Sequence, residues 1–129
     1  MLKHIEGMVS AWGIDWVQFK LFASHSTGIS HDSMHVIVGV VAQVAVAAVF
    51  RLSLARVWPW AAVLLVELAN EWNDLHVETW PDPGQQWGEG AKDIALTMIL
   101  PTLLLVLARW KPGLLGGSKR QESDPEFAE

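Results

Sequence analysis

The chain has 129 residues, of which 51% are hydrophobic, and its net charge is −5. A chain of this length allows one small domain and little more. The acidic balance leaves no basic stripe to neutralise phosphates, which argues against a nucleic-acid partner. Because the chain has no cysteine, disulfides and thiol nucleophiles are excluded.

The first predicted element is an amphipathic helix over residues 2–21. Its large apolar side chains recur every three or four residues: Ile5, Met8, Trp12, Trp16 and Phe19. This pattern is typical of a helix lying at a membrane interface, although a helix packed against a bundle would show it too. A loop follows over residues 24–30, and Ser30 can cap the next helix. Residues 1–30 therefore form a predicted interfacial helix and loop.

Residues 31–112 are predicted to form a bundle of three transmembrane helices, so that the fold is all-α. Two apolar runs, residues 35–50 and 94–110, are each close to the lower limit of about 17 residues for a membrane span. The predicted spans cover residues 31–50, 57–75 and 91–110, with a turn at 51–56 and a non-helical loop at 77–90. Tryptophans lie near the boundaries, as they do at headgroup level. The alternative is a soluble bundle that hides these helices in an oligomer.

Basic residues near the helix ends predict the orientation. One side carries Arg51, Arg56, Arg109, Lys111, Lys119 and Arg120, whereas the other carries Lys3, Lys20 and Lys92. The first side should be cytoplasmic, which places the protein in a bacterial inner membrane with its C-terminus inside. Residues 113–129 read as a flexible acidic tail.

Polar and ionisable side chains are concentrated at the outward-facing ends of all three predicted spans. Separations of three, four and seven residues stack side chains on one helix face. The residues predicted to bind a divalent metal, Zn or Mg, are His31, Asp32, His35, Glu71 and Asp74, because imidazoles suit zinc and carboxylates suit magnesium. The candidate catalytic residues are Glu67, Asn70, Lys92 and Asp93. A histidine pair one turn apart is also common in purely structural roles.

Glu67 is the most informative single residue, because it lies within an apolar run over residues 57–69. A carboxylate at the centre of a membrane helix is expensive and points to function. Proton handling, lipid binding and ion binding are the functional interpretations. The alternative is a structural polar contact to Asn70 or to a neighbouring helix.

Two family resemblances follow from these residues. The chain resembles a reduced VanZ-like membrane protein in the order of its polar residues. These are Ser30, His31, His35 and Gly39 on the first span, Glu67, Asn70, Glu71 and Asp74 on the second, and Asp93 and Thr97 on the third. This pattern covers roughly residues 31–102. The resemblance implies an envelope-associated membrane protein and no general reaction. This chain differs in its histidine-rich first motif and in having only three spans.

The chain is also similar to bacterial diacylglycerol and undecaprenol kinases, which have three spans and a surface helix. The residues that carry this likeness are Glu67, Asn70, Asp74, Glu78, Ala91, Lys92 and Asp93. The resemblance implies that Glu67 takes the lipid hydroxyl proton, while Asp32 and Asp74 hold Mg-ATP through metal. However, the small residues expected after Lys92 and Asp93 are replaced by Ile94, Leu96 and Met98. The predicted orientation also places the site on the side of the membrane that lacks ATP.

A third interpretation is a non-catalytic accessory subunit. Apolar helices without a site would pack against a larger membrane complex or against further copies of the chain. The partners predicted in every case are membrane lipids, and whether the protein is an enzyme stays open.

Overall fold

The computed structural model describes residues 2–115 of the chain, with side chains described from residue 11 to residue 114. The described part is helical and contains no strand. Its helices are α1 (Leu2–Thr27), α2 (His31–Val49), α3 (Val57–Val77), α4 (Pro83–Trp110) and the short α5 (Pro112–Leu115). The prediction of an all-α fold is confirmed.

Local signals explain where the helices begin and end. Gly28 adopts a positive φ of 68°, which ends α1 with a residue that carries no Cβ. The Ser30 hydroxyl then accepts a hydrogen bond from the Ser33 amide and caps α2, as predicted. Asp82 caps α4 in the same way, and Pro83 occupies the first helical turn, where its missing N–H is not needed.

Two predicted boundaries are wrong. The helix predicted over residues 2–21 continues to Thr27, so the following loop is three residues long. The predicted loop over residues 77–90 is helical from Pro83 onward, because the Asp82 cap starts the helix despite the three glycines that follow. As a result, Lys92 and Asp93 do not open α4 but lie more than two turns inside it.

The three central helices form an up-down-up bundle. α4 packs against both α2 and α3, and α2 also contacts α3. Gln43 reaches Pro101 and His35 reaches Thr97, so α2 and α4 run in parallel. Trp60 reaches Thr102 and Glu67 reaches Thr97, so α3 is antiparallel to α4.

α1 lies against α3 and is held there by polar contacts. The Trp16 indole and the Lys20 ammonium both donate to the Asn70 side-chain oxygen, at 2.8 Å and 3.2 Å. Lys20 also forms an ion pair with Asp74. Trp12 and Phe19 remain exposed, so α1 leaves apolar surface uncovered. The side chains of Ile5 and Met8, which complete the predicted apolar stripe, lie outside the described residues.

Two of the three predicted spans have the length and composition to cross a membrane. They are the helices His31–Val49 and Pro83–Trp110. The third predicted span, residues 57–75, lies in α3 and fails this test, because Glu67, Glu71 and Asp74 make it too acidic. α5 occupies the first residues of the predicted tail, and residues 116–129 lie outside the described part of the chain.

Candidate metal centre

The three central helices each contribute one side chain to a buried hydrogen-bonded cluster. His35 Nδ1 lies 2.9 Å from Glu67 Oε1 and 2.9 Å from Thr97 Oγ1. The Thr97 hydroxyl donates to Glu67 Oε1 at 2.8 Å. His35, Glu67 and Thr97 are exposed by only 8%, 7% and 2%. The cluster is therefore closed off from the surface, and each member has a defined partner.

These contacts decide which nitrogen of His35 carries the hydrogen. The Glu67 carboxylate accepts hydrogen bonds, and the Thr97 oxygen is also an acceptor toward His35 because its own hydrogen goes to Glu67. Nδ1 therefore donates, and the neutral ring has its lone pair on Nε2. In this tautomer the lone pair of His35 points away from Glu67.

Nε2 of His35 faces Asp93, which lies on α4 one turn before Thr97. The distance from Nε2 to Asp93 Oδ2 is 3.6 Å, and the same oxygen lies 3.8 Å from His31 Nδ1. Asp93 is 7% exposed. Its second oxygen, Oδ1, is buried without a hydrogen-bond partner among the described residues. When His35 is neutral, Nε2 and Asp93 Oδ2 are two acceptors that face each other at a separation too long for a hydrogen bond.

The ligand atoms fall into two groups that could hold a metal ion. One comprises His31, His35 and Asp93, and the other His35, Glu67 and Glu71; within each group the ligand atoms lie within 4.8 Å of one another. Zinc bonds of about 2.0–2.1 Å at a tetrahedral angle hold two ligand atoms roughly 3.3–3.4 Å apart. The separations of 3.6 Å and 3.8 Å around Asp93 are close to that value.

Five of the nine predicted site residues meet in this centre: His31, His35, Glu67, Glu71 and Asp93. Among them only His31 is exposed, so the centre is open at one side. Glu71 completes its inner wall, accepting from the Asn70 amide at 3.1 Å. The backbone of Gly90 comes so close to Glu71 that a Cβ at that position would lie 2.9 Å from Oε2.

The other four predicted residues lie around the centre with partners of their own. Asn70 and Asp74 face α1, where they contact Lys20. Lys92 lies at the surface, 3.1 Å from Asp32 Oδ1 and 2.6 Å from Glu89 Oε2. Each of these four side chains is therefore engaged in a contact that neutralises or satisfies it outside the buried cluster.

The predicted site does not include Thr97 or Gln43. Gln43 is fully buried and donates to the Pro101 carbonyl at 3.2 Å. A signal for Gln43 exists in the sequence, since it lies two turns beyond His35 and one beyond Gly39, as a polar residue within an apolar run. Thr97 follows Asp93 by four residues, which places both on one face of α4.

Comparisons of the chain with protein-family models, with curated proteins and with solved structures found no match. The chemistry of the centre therefore has to be argued from its own residues.

Proposed function

We propose that the protein is a three-span membrane protein that binds a divalent transition-metal ion of the zinc class through His31, His35 and Asp93. The observation that carries this proposal is the approach of His35 Nε2 to Asp93 Oδ2, which lie 3.6 Å apart on two buried side chains. Buried acceptors are costly to leave unpaired, and a cation between them satisfies both. Two imidazoles and one carboxylate form a donor set that suits zinc and leaves a coordination position open.

Glu67 stabilises the centre through its hydrogen bond with His35 Nδ1, the ring nitrogen that does not face Asp93. A histidine that binds metal generally donates its other ring N–H to a carboxylate, which fixes the tautomer and orients the ring. Glu67 occupies that position on His35 Nδ1, and Thr97 holds Glu67 in turn. In this proposal Glu67 is a positioning residue, which accounts for an acid in the middle of an apolar helix.

The membrane part of the proposal is supported by an inverted distribution of polarity. Within the described side chains, the interior holds His35, Gln43, Glu67, Glu71, Asp93 and Thr97, while the surface carries numerous exposed Val, Leu and Ile side chains. Only 22% of the apolar stretch in α2 and 33% of that in α4 are buried. Apolar helices that the chain itself leaves uncovered fit a lipid environment. α3 is the third span, with its acids turned toward α2, α4 and α1.

The resemblance to VanZ-like proteins fits an envelope protein whose centre faces outward. The kinase mechanism is less well supported, because the groups it needs have other partners. Lys92, one of the residues that carry the kinase likeness, lies between Asp32 and Glu89, and Asp74, which would hold Mg-ATP, is paired with Lys20. We therefore propose metal binding as the primary function of the cluster.

The test is metal analysis of the purified full-length protein after incubation with Zn²⁺ and removal of free ion. We expect one zinc per chain in the wild type and its loss in His35→Ala. The matched control is His76→Ala, because the exposed His76 contacts the Trp72 carbonyl within its own helix and belongs to neither ligand group. Zinc retained by His35→Ala, or no zinc in the folded wild type, would contradict the proposal.

A further inference from the structure

A cavity of about 290 Å³ lies beside the metal centre. α2, α3 and α4 all contribute to its wall, together with the segment between α3 and α4. Six of the residues that line it are acidic: Asp32, Glu71, Asp74, Glu78, Glu89 and Asp93. His31 lines it as well, so the cavity and the metal centre share three residues: His31, Glu71 and Asp93.

The charge of this cavity is only partly balanced. Lys92 is paired with Asp32 and Glu89, and Lys20 is paired with Asp74. Glu71, Glu78 and Asp93 have no lysine or arginine partner among the described side chains, residues 11–114. A cleft lined by one sign of charge concentrates ions of the opposite sign and raises their rate of association. It repels phosphates and other anions for the same reason.

Asp93 connects the cavity to the centre. Its Oδ2 faces the two histidines, whereas its Oδ1 is buried without a hydrogen-bond partner in the described part of the chain. An unpartnered carboxylate oxygen on a residue that is 7% exposed and lines an acidic cavity is suited to contact a cation there.

We propose that this cavity is the entry vestibule through which a hydrated divalent cation reaches the metal centre, with Asp93 as the ligand that transfers the ion from vestibule to centre. This inference rests on the proposed metal binding. It adds a direction of access, from the surface at His31 and Asp32, which are exposed and line the cavity. It also adds a ligand class, which is cations and not phosphorylated lipids or nucleotides. The vestibule acts through long-range charge and so governs the rate of loading.

The experiment measures the association rate of Co²⁺ with the purified full-length protein by stopped-flow absorption at low ionic strength. Glu78→Gln removes one charge but keeps an oxygen that can accept the Trp80 indole bond of 3.0 Å. We expect it to slow association about threefold, which is the effect of removing one charge from the cavity at low ionic strength. Lys92→Gln should accelerate association by a similar factor, because Asp32 and Glu89 lose their lysine partner and the cavity becomes more negative.

The control is Asp15→Asn, an exposed residue of α1 that does not line the cavity, and its association rate should equal that of the wild type. At about 1 M salt, where the screening length falls to roughly 3 Å, the differences between the variants should disappear. Stoichiometric cobalt binding with equal rates in Glu78→Gln, Lys92→Gln and Asp15→Asn would overturn the vestibule and leave metal binding intact. Absence of cobalt binding in the folded wild type would overturn metal binding and the vestibule together.

Discussion

The two ring nitrogens of His35 have different surroundings, and this difference determines which side of the ring could bind a cation. Nδ1 is engaged by Glu67 and Thr97, whereas Nε2 faces Asp93. The imidazole is thus held on one side by two oxygens, and the neutral ring has its lone pair on the other side. Because metal ligands need a free lone pair, this arrangement suits the proposed binding of a cation on the Asp93 side.

Thr97 provides a test of that arrangement. Thr97→Val replaces the hydroxyl with a methyl group of similar size, so Glu67 loses a donor and His35 loses an acceptor. Loss of a partner behind a metal ligand lowers metal affinity about 10–100-fold, and we expect a loss in this range. The affinity can be measured by competition with a chelator. Thr97→Ser keeps the hydroxyl and should bind metal nearly as the wild type does. Equal affinities for Val and Ser would show that Thr97 does not act through His35.

The contact between α2 and α4 involves Gly39, which lies against the backbone of Thr97, and Pro101, which lies one turn further along α4. Pro101 has no N–H, so the carbonyl of Thr97 lacks its usual partner within the helix. The backbone of Gly39 lies against this carbonyl so closely that a Cβ would come within 2.1 Å of the oxygen. α4 continues as a helix through Pro101, and Gln43 donates to the Pro101 carbonyl one turn further on.

This close approach predicts that Gly39→Ala is destabilising. The added methyl group meets backbone, which cannot rotate away, so α2 and α4 must separate. Overpacking of this kind costs about 1–3 kcal/mol, and it should appear as a lower midpoint of thermal unfolding. Gly88→Ala is the matched control: nothing lies within 4 Å of its Cβ position, and alanine is favoured over glycine inside a helix by up to about 1 kcal/mol. An unchanged midpoint for Gly39→Ala would contradict the close packing.

Among the described side chains, the arginines lie at one end of the bundle, whereas the carboxylates of the central helices lie toward the other end, where Lys20 and Lys92 pair with some of them. Arg109 donates to the Ala55 carbonyl at 3.0 Å, so the end of α4 and the turn between α2 and α3 lie together. Arg51 and Arg56 belong to that turn. The metal centre is at the opposite end, where α2 begins. In the proposed membrane arrangement, the arginine-rich end is the cytoplasmic end.

We therefore expect the protein to remain with the membrane after alkaline extraction. A reporter enzyme that is active only in the cytoplasm should be active when it is fused after Glu129. A reporter that requires export should be inactive at the same position, and this second fusion serves as the control. Export of the C-terminus would reverse the orientation and bring the centre to the side where ATP is present, which would favour the kinase resemblance. Release of the protein by alkaline extraction would contradict the membrane assignment.

Much of the helical pattern follows from short-range features of the chain. The Ser30 cap, the positions at which α2 and α3 begin, and the faces shared by His31 and His35 or by Glu67 and Glu71 depend on residues within one or two turns of each other. The start of α4 is also a local event, but the glycines after Asp82 suggested a loop and obscured it. Local spacing thus predicts which side chains share a helix face.

Tertiary packing decided which faces meet, and a local pattern carries no information about that. Asn70 and Glu71 are adjacent in sequence, yet Asn70 turns to α1 and Glu71 to the metal centre, because the rotation of α3 is set by contacts with three other helices. The tautomer of His35 depends in the same way on Glu67 and Thr97, which lie 32 and 62 residues away in the chain. Periodicity is a property of one helix, whereas a metal centre is a property of the distances between helices.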